Sequence, residues 1–131
     1  METYDAAALR HLSDGDHLFR DGRIDNADHL FGISAECAIK WKLMPQLTTE
    51  AAVKAMKIHI NDLWRKAVIH LKGRQSVLLL STLKSGGDPF SDWHIDQRYR
   101  ASGQVIAETV ERHRRACSRV MGAVGLLATL K

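Results

Sequence analysis

The stretch Ile24-Asp25-Asn26-Ala27-Asp28-His29-Leu30-Phe31-Gly32-Ile33-Ser34-Ala35-Glu36-Cys37-Ala38-Ile39-Lys40-Trp41-Lys42-Leu43-Met44 is the part of the chain around which the rest must be arranged. Its apolar residues, Ala27, Leu30, Phe31, Ile33, Ala35, Cys37, Ala38, Ile39, Trp41 and Leu43, go nearly all round a helix of 3.6 residues per turn. A helix apolar on every side belongs in the middle of a fold, with other elements packed around it. The pattern predicts a central helix over 24–44.

Outward from it the patterns remain helical. Asp21-Gly22 closes a first helix over about residues 3–20, whose apolar side is Ala8, Leu9, Leu12, Leu18 and Phe19. Pro45 closes the central helix. A third segment over about 50–71 contains His59-Ile60-Asn61-Asp62-Leu63-Trp64, with Asn61 or Asp62 as a helix N-cap. Residues 74–84 form a short buried helix (Val77, Leu78, Leu79, Leu80, Leu83), and Ser85-Gly86-Gly87-Asp88-Pro89 is a loop. The last helix is expected over about 100–130. Ile106, Val110, His113, Cys117, Val120, Val124 and Leu127 recur on it in alternating steps of four and three, a heptad seam that packs inside the monomer or across a dimer interface. Few runs alternate apolar with polar, so the expectation is one all-α domain over 1–131, a four- to five-helix up-and-down bundle.

The 131 residues are 45% hydrophobic and 26% charged, which excludes a disordered chain and suffices for a real core. No apolar run approaches the roughly 20 residues of a membrane span. The polar, mixed-charge start is no signal peptide, so a cytoplasmic protein is expected, with Cys37 and Cys117 as free thiols. The charge is uneven. Residues 1–36 carry three Arg against eight Asp and Glu, whereas residues 98–119 carry Arg98, Arg100, Arg112, Arg114, Arg115 and Arg119 against Glu108 and Glu111. Arginine suits planar contact with phosphate, so Arg98, Arg100, Arg112, Arg115 and Arg119 are candidate RNA contacts; the alternative is a solvated helix face complementing the acidic half.

Three places hold candidate chemistry. On the central helix His29, Glu36 and Lys40 fall near one face. Glu36 and Lys40 have the favourable order for an i,i+4 ion pair, either as a structural pair or with Glu36 holding an arginine or histidine of a site. Trp93-His94-Ile95-Asp96-Gln97-Arg98-Tyr99-Arg100 is the densest cluster of functional residue types. There His94, Arg98 and Arg100 are placed to bind or polarise a phosphate, Trp93 to stack on a base or plug the bundle, and Tyr99 to pack on the extended seam. His113 stands on the seam itself, where a structural role is the expectation. Phosphate-binding glycine loops, HExxH and GxSxG are all absent, and Asp14, Asp16, Asp21, Asp25 and Asp28 do not have the spacing of a calcium loop. No metal and no cofactor are expected.

The order Asn26 to Lys40 with its Glu-x-x-x-Lys ending, then His59-Ile60-Asn61-Asp62-Leu63, then Arg98-Tyr99 ahead of a long last helix resembles the HEPN superfamily over about residues 3–125. The resemblance implies a helical bundle that often dimerises, in bacterial or archaeal toxin–antitoxin, phage-defence and RNA-processing systems. It also implies metal-independent endoribonuclease activity at an Arg-x(4–6)-His motif at the head of the last helix. This sequence departs from that motif: the permitted positions hold Gly103, Gln104 and Val105 after Arg98, and Val105, Ile106 and Ala107 after Arg100. Matching spacings at Arg10–His17, Arg23–His29 and Arg65–His70 fall on other helices. The expectation is therefore a HEPN-like homodimer that binds RNA or a partner protein, such as one encoded beside it, without the usual cleavage site. The competing expectation is a divergent endoribonuclease, with His94 or His59 for proton transfer, Arg98 for charge and Glu36 as orienter.

Overall fold

The computed structural model describes residues 3–100 and 102–127, apart from the Arg98 side chain, and among them are six α-helices and no strand. They are α1 (Tyr4–Arg20), α2 (Ile24–Leu43), α3 (Glu50–Ala55), α4 (Ile60–Lys66), α5 (Val77–Lys84) and α6 (Ala107–Ala123). Short 3-10 turns follow α2 and α4, precede α5, and span Ile95–Tyr99.

α1 and α2 form an antiparallel hairpin because only three residues join them. Gly22 takes the left-handed conformation (φ +81°) that a side chain would resist, while the Gly22 and Arg23 amides donate to Phe19 and Leu18 carbonyls. Farther along, the Ser34 hydroxyl donates to the Ala8 carbonyl at 2.7 Å, and Phe31 seats its ring against Gly15. α2 occupies the expected central position, packed on α1, α4, α6 and the 95–99 turn. Twelve of its residues are buried, including all of Ser34 to Lys40.

Three expected elements are redrawn. The short buried helix expected over 74–84 is α5, Val77–Lys84, which buries Leu79 and Leu83 and leaves Val77 and Leu78 exposed. The segment 50–71 splits into α3 and α4, which brings the helix number to six. The break lies at Lys57–His59, and His59, in extended backbone, is the N-cap of α4 in place of Asn61 or Asp62. The last helix begins at Ala107. Before it Gly103 adopts φ +84° and donates its amide to the Asp25 carboxylate, so Arg98-Tyr99 sit in a separate turn and not at the helix head. At the other end Gly125, at φ +85°, and the Leu126 amide bonded to Met121 close α6 with a glycine C-cap. Of the expected span, residues 128–130 lie outside the described residues.

The heptad seam packs within the chain. Val110, His113, Cys117, Val120 and Val124 are buried, and α6 lies along α2. Ile106 falls off the seam: it is the N-cap of α6 and 62% exposed. Tyr99, extrapolated onto the same seam, is 76% exposed, because residues 102–106 are not helical.

Candidate functional site

The segment between α5 and α6 is fastened to α2 by Trp93. Its indole lies directly over Gly32, so close that a Cβ there would stand 2.2 Å from the ring. The indole N–H donates to the Asp28 carbonyl at 3.0 Å, and the ring stacks on His29. Of the two roles open for Trp93, the structure assigns the plug: it is 1% exposed and has no face for a base.

Beneath it is a buried polar network. His113, fully buried on α6, directs Nδ1 to the Asp28 carboxylate at 2.5 Å and Nε2 to Asp92 at 2.8 Å, with Phe90 stacked on its ring. Carboxylates only accept, so a ring that bonds both must donate from both nitrogens and carry a positive charge. Burial opposes that charge, but the bonds and negative charges of Asp28 and Asp92 outweigh it and raise the His113 pKa above the ordinary histidine value. Arg112 binds Asp92 through two parallel N–H bonds of 3.0 and 2.7 Å and also donates to the Pro89 carbonyl. Those bonds, and then His113, hold the Asp92 carboxyl down to about 2 against its partial burial. The second Asp28 oxygen accepts from the Gln97 amide at 2.6 Å.

This network is the floor of a cleft. One cavity of about 260 Å³ is lined by Asp28, Asp92, Gln97, Arg100, Gln104 and Thr109 among others. A second of about 380 Å³ is lined by Arg23, Asp25, Asn26, Gln97, Arg100 and Ser102. Gln97 and Arg100 wall both, so the two are neighbouring halves of one cleft between the start of α2, the 95–99 turn and the start of α6. Two arginines flank the outer half. Amide, hydroxyl and carboxylate groups line the inner half together with Val105 and Ile106.

The remaining candidates are distributed differently. His94 caps the 95–99 turn: its Nδ1 accepts from the Asp96 amide, and its own amide donates to Gln97, which locks the turn carrying Arg100. Arg98, assigned charge and RNA contact, has its side chain outside the described residues. Of the five expected RNA contacts, Arg112 pairs with Asp92, and Arg115 pairs with Glu111 while its side chain stays 76% exposed. Among the described residues Arg100 and Arg119 have no ion pair, and Arg119 lines a groove between α5 and α6 with the exposed Leu78.

Glu36 lies eight residues beyond Asp28 on α2, about 12 Å along the axis at 1.5 Å per residue. Its carboxylate binds Lys40 through one oxygen and His59 Nδ1 through the other, each at 3.0 Å. Glu36 and Lys40 are buried, whereas His59 is half exposed. The carboxylate fixes the ring with Nδ1–H inward and Nε2 outward, the arrangement of an oriented general base. Among the described residues no hydrogen bond or ion pair joins this pair to His94 or to the cleft. Sequence reasoning named His113 and the start of α2 separately but missed Asp92 as the link between them. Its signal was slight: an acidic residue beside a tryptophan just after a Gly-Gly-Asp-Pro loop. Among the described residues no cluster of His, Cys, Asp and Glu is arranged to hold a metal.

No family model, curated protein or solved structure matches this chain.

Proposed function

We propose that the protein is a HEPN-like RNA-binding module of a bacterial toxin–antitoxin, defence or RNA-processing system, one that holds RNA without the usual Arg-x(4–6)-His cleavage site. The observation that carries the reading is the cleft beside α2: two arginines at its mouth, Arg100 and the surface-paired Arg23, and amide and hydroxyl side chains within it, beside the carboxylates of Asp25, Asp28 and Asp92, which already accept from the Gly103 amide, Gln97, His113 and Arg112. Arginines take phosphate, and polar side chains in a narrow cleft read the edges of bases that are not in a duplex. A cleft of this size admits a splayed nucleotide and not a helix. The histidine of the last helix is locked between two carboxylates, which suits a binder better than a nuclease.

The test is fluorescence anisotropy of a short labelled RNA in EDTA, at about 50 and 200 mM salt. Affinity falls with salt, and the combined Arg23→Ala and Arg100→Ala variant weakens binding and flattens the salt slope by roughly one to two units. Binding indifferent to salt and to both arginines overturns the reading.

A second reading, a divergent metal-independent endoribonuclease, is favoured by the Glu36–His59 pair, a half-exposed imidazole oriented by a buried carboxylate. Incubation with total RNA and with tRNA in EDTA tests it. Cleavage abolished by His59→Ala supports it, and intact RNA excludes it.

A further inference from the structure

We propose that His113 is a proton-operated latch on the cleft: the doubly protonated ring holds residues 92–100 in place as the cleft wall, and loss of one ring proton releases them. The regulatory meaning rests on the reading of the cleft as the RNA site; the latch itself rests on geometry alone.

The argument is one of donors and acceptors. Both ring nitrogens face carboxylate oxygens, Asp28 at 2.5 Å and Asp92 at 2.8 Å. Among the described residues the charged groups gathered on the ring are Asp28 from α2, Asp92 from the loop ahead of the 95–99 turn, and Arg112 from α6 itself, which binds Asp92; Arg100 lies across the cavity. With His113 charged, the two carboxylates and two cations balance. A neutral ring keeps a single N–H. It then turns a lone pair on one carboxylate, and the enclosed cluster gains a net negative charge.

Which bond gives way follows from burial. Asp28 is 2% exposed and also fastened to Gln97, whereas the Asp92 side chain is 44% exposed and has Arg112 beside it at the surface. The neutral ring therefore keeps Asp28 and repels Asp92. Asp92 immediately precedes Trp93 and the turn that carries Gln97 and Arg100, so its outward movement loosens the wall shared by both halves of the cleft. The bonds to Asp28 and Asp92 raise the His113 pKa, which sets the release on the alkaline side of the ordinary histidine range.

Ring nitrogen spectra of the 15N-labelled full chain from about pH 5 to about pH 10 report the latch directly. Backbone amides of Gln97 and Arg100 report the wall, and anisotropy of a short labelled RNA reports the cleft. The expected result is a His113 ring protonated on both nitrogens at neutral pH and titrating above the ordinary histidine value. The wall amides move with the same midpoint, and RNA affinity drops several-fold through it. Asp92→Asn, which keeps an acceptor but removes a charge, shifts that midpoint downward; because the variant can lose fold, the wild-type titration stands as a separate test. A singly protonated His113 at neutral pH overturns the latch, as do wall amides that ignore its titration. RNA affinity unchanged while the wall moves overturns the regulatory role. RNA unbound at every pH, with the wall still moving, overturns the RNA reading and leaves the latch standing.

Discussion

Gly32→Ala adds one methyl group to the middle of α2 and tests how the 85–106 segment is seated. In an exposed helix interior this change stabilises by about 1 kcal/mol, because alanine is the better helix former. Here the new Cβ would lie 2.2 to 2.6 Å from three atoms of the Trp93 indole, where ordinary carbon contacts need about 3.5 Å. The indole must retreat by more than about 1 Å, which costs about 1–3 kcal/mol in overpacking and weakens its bond to the Asp28 carbonyl, a further loss of about 1 kcal/mol. The net expectation is destabilisation by about 2 kcal/mol. At about 2.1 cal/mol/K per residue, a chain of 131 residues loses about 7 °C in Tm for that amount. Gly87→Ala is the control: nothing lies within 4 Å of its Cβ position and its φ is not positive, so it stays within about 0.5 kcal/mol of wild type. Urea unfolding followed by far-UV circular dichroism gives both values. A Gly32→Ala protein as stable as wild type, or more so, refutes the seating of Trp93, since helix propensity and clash predict opposite signs.

Stability should depend on pH at both ends of the network. His113 has a raised pKa, so its contribution is complete below the unfolded value of about 6.5 and is lost as pH rises through the folded value; urea midpoints decline there, and His113→Gln removes the decline. Asp92 is held down to about 2, so its contribution is present above the unfolded value near 3.8 and is lost as pH falls toward 2, which the same titration on the acid side detects. Glu36→Gln leaves Lys40 buried without its counter-charge and costs about 3 kcal/mol, whereas Arg115→Ala, which breaks the surface i,i+4 pair with Glu111, leaves the urea midpoint unchanged within about 0.5 kcal/mol. Burial pushes the thiols of Cys37 and Cys117 up to about 11 and about 12, so both resist an aromatic disulfide reagent in native protein and react once urea unfolds it.

Helix spacing read well where one periodicity ran uninterrupted. α1 and α2 end within a residue of the expected positions, because Asp21-Gly22 and Pro45 are local signals. It read poorly where the chain leaves helical geometry for a tertiary reason. The break before α4 has no glycine or proline to announce it, and the region before α6 was absorbed into the last helix although Gly103 stands in it. The arginines of α6 illustrate the same limit. Their number was plain, but which of them remain free depends on Asp92 and Glu111 reaching them.

The sequence by itself determined that the chain is helical, that about 24–44 lies at its centre, and that the face of α6 carrying Val110, Cys117 and Val120 is buried, because periodicity is a local property of the chain. It also determined that Glu36 and Lys40 stand one turn apart, which helix geometry alone provides. Only the tertiary structure decided that His113 lies between Asp28 and Asp92, which are 85 and 21 residues away from it. Only it gave Glu36 a second partner in His59, and only it set Trp93 on Gly32. A buried charge must be met by whichever groups the packing of separate elements delivers to it, and no spacing along one element specifies them.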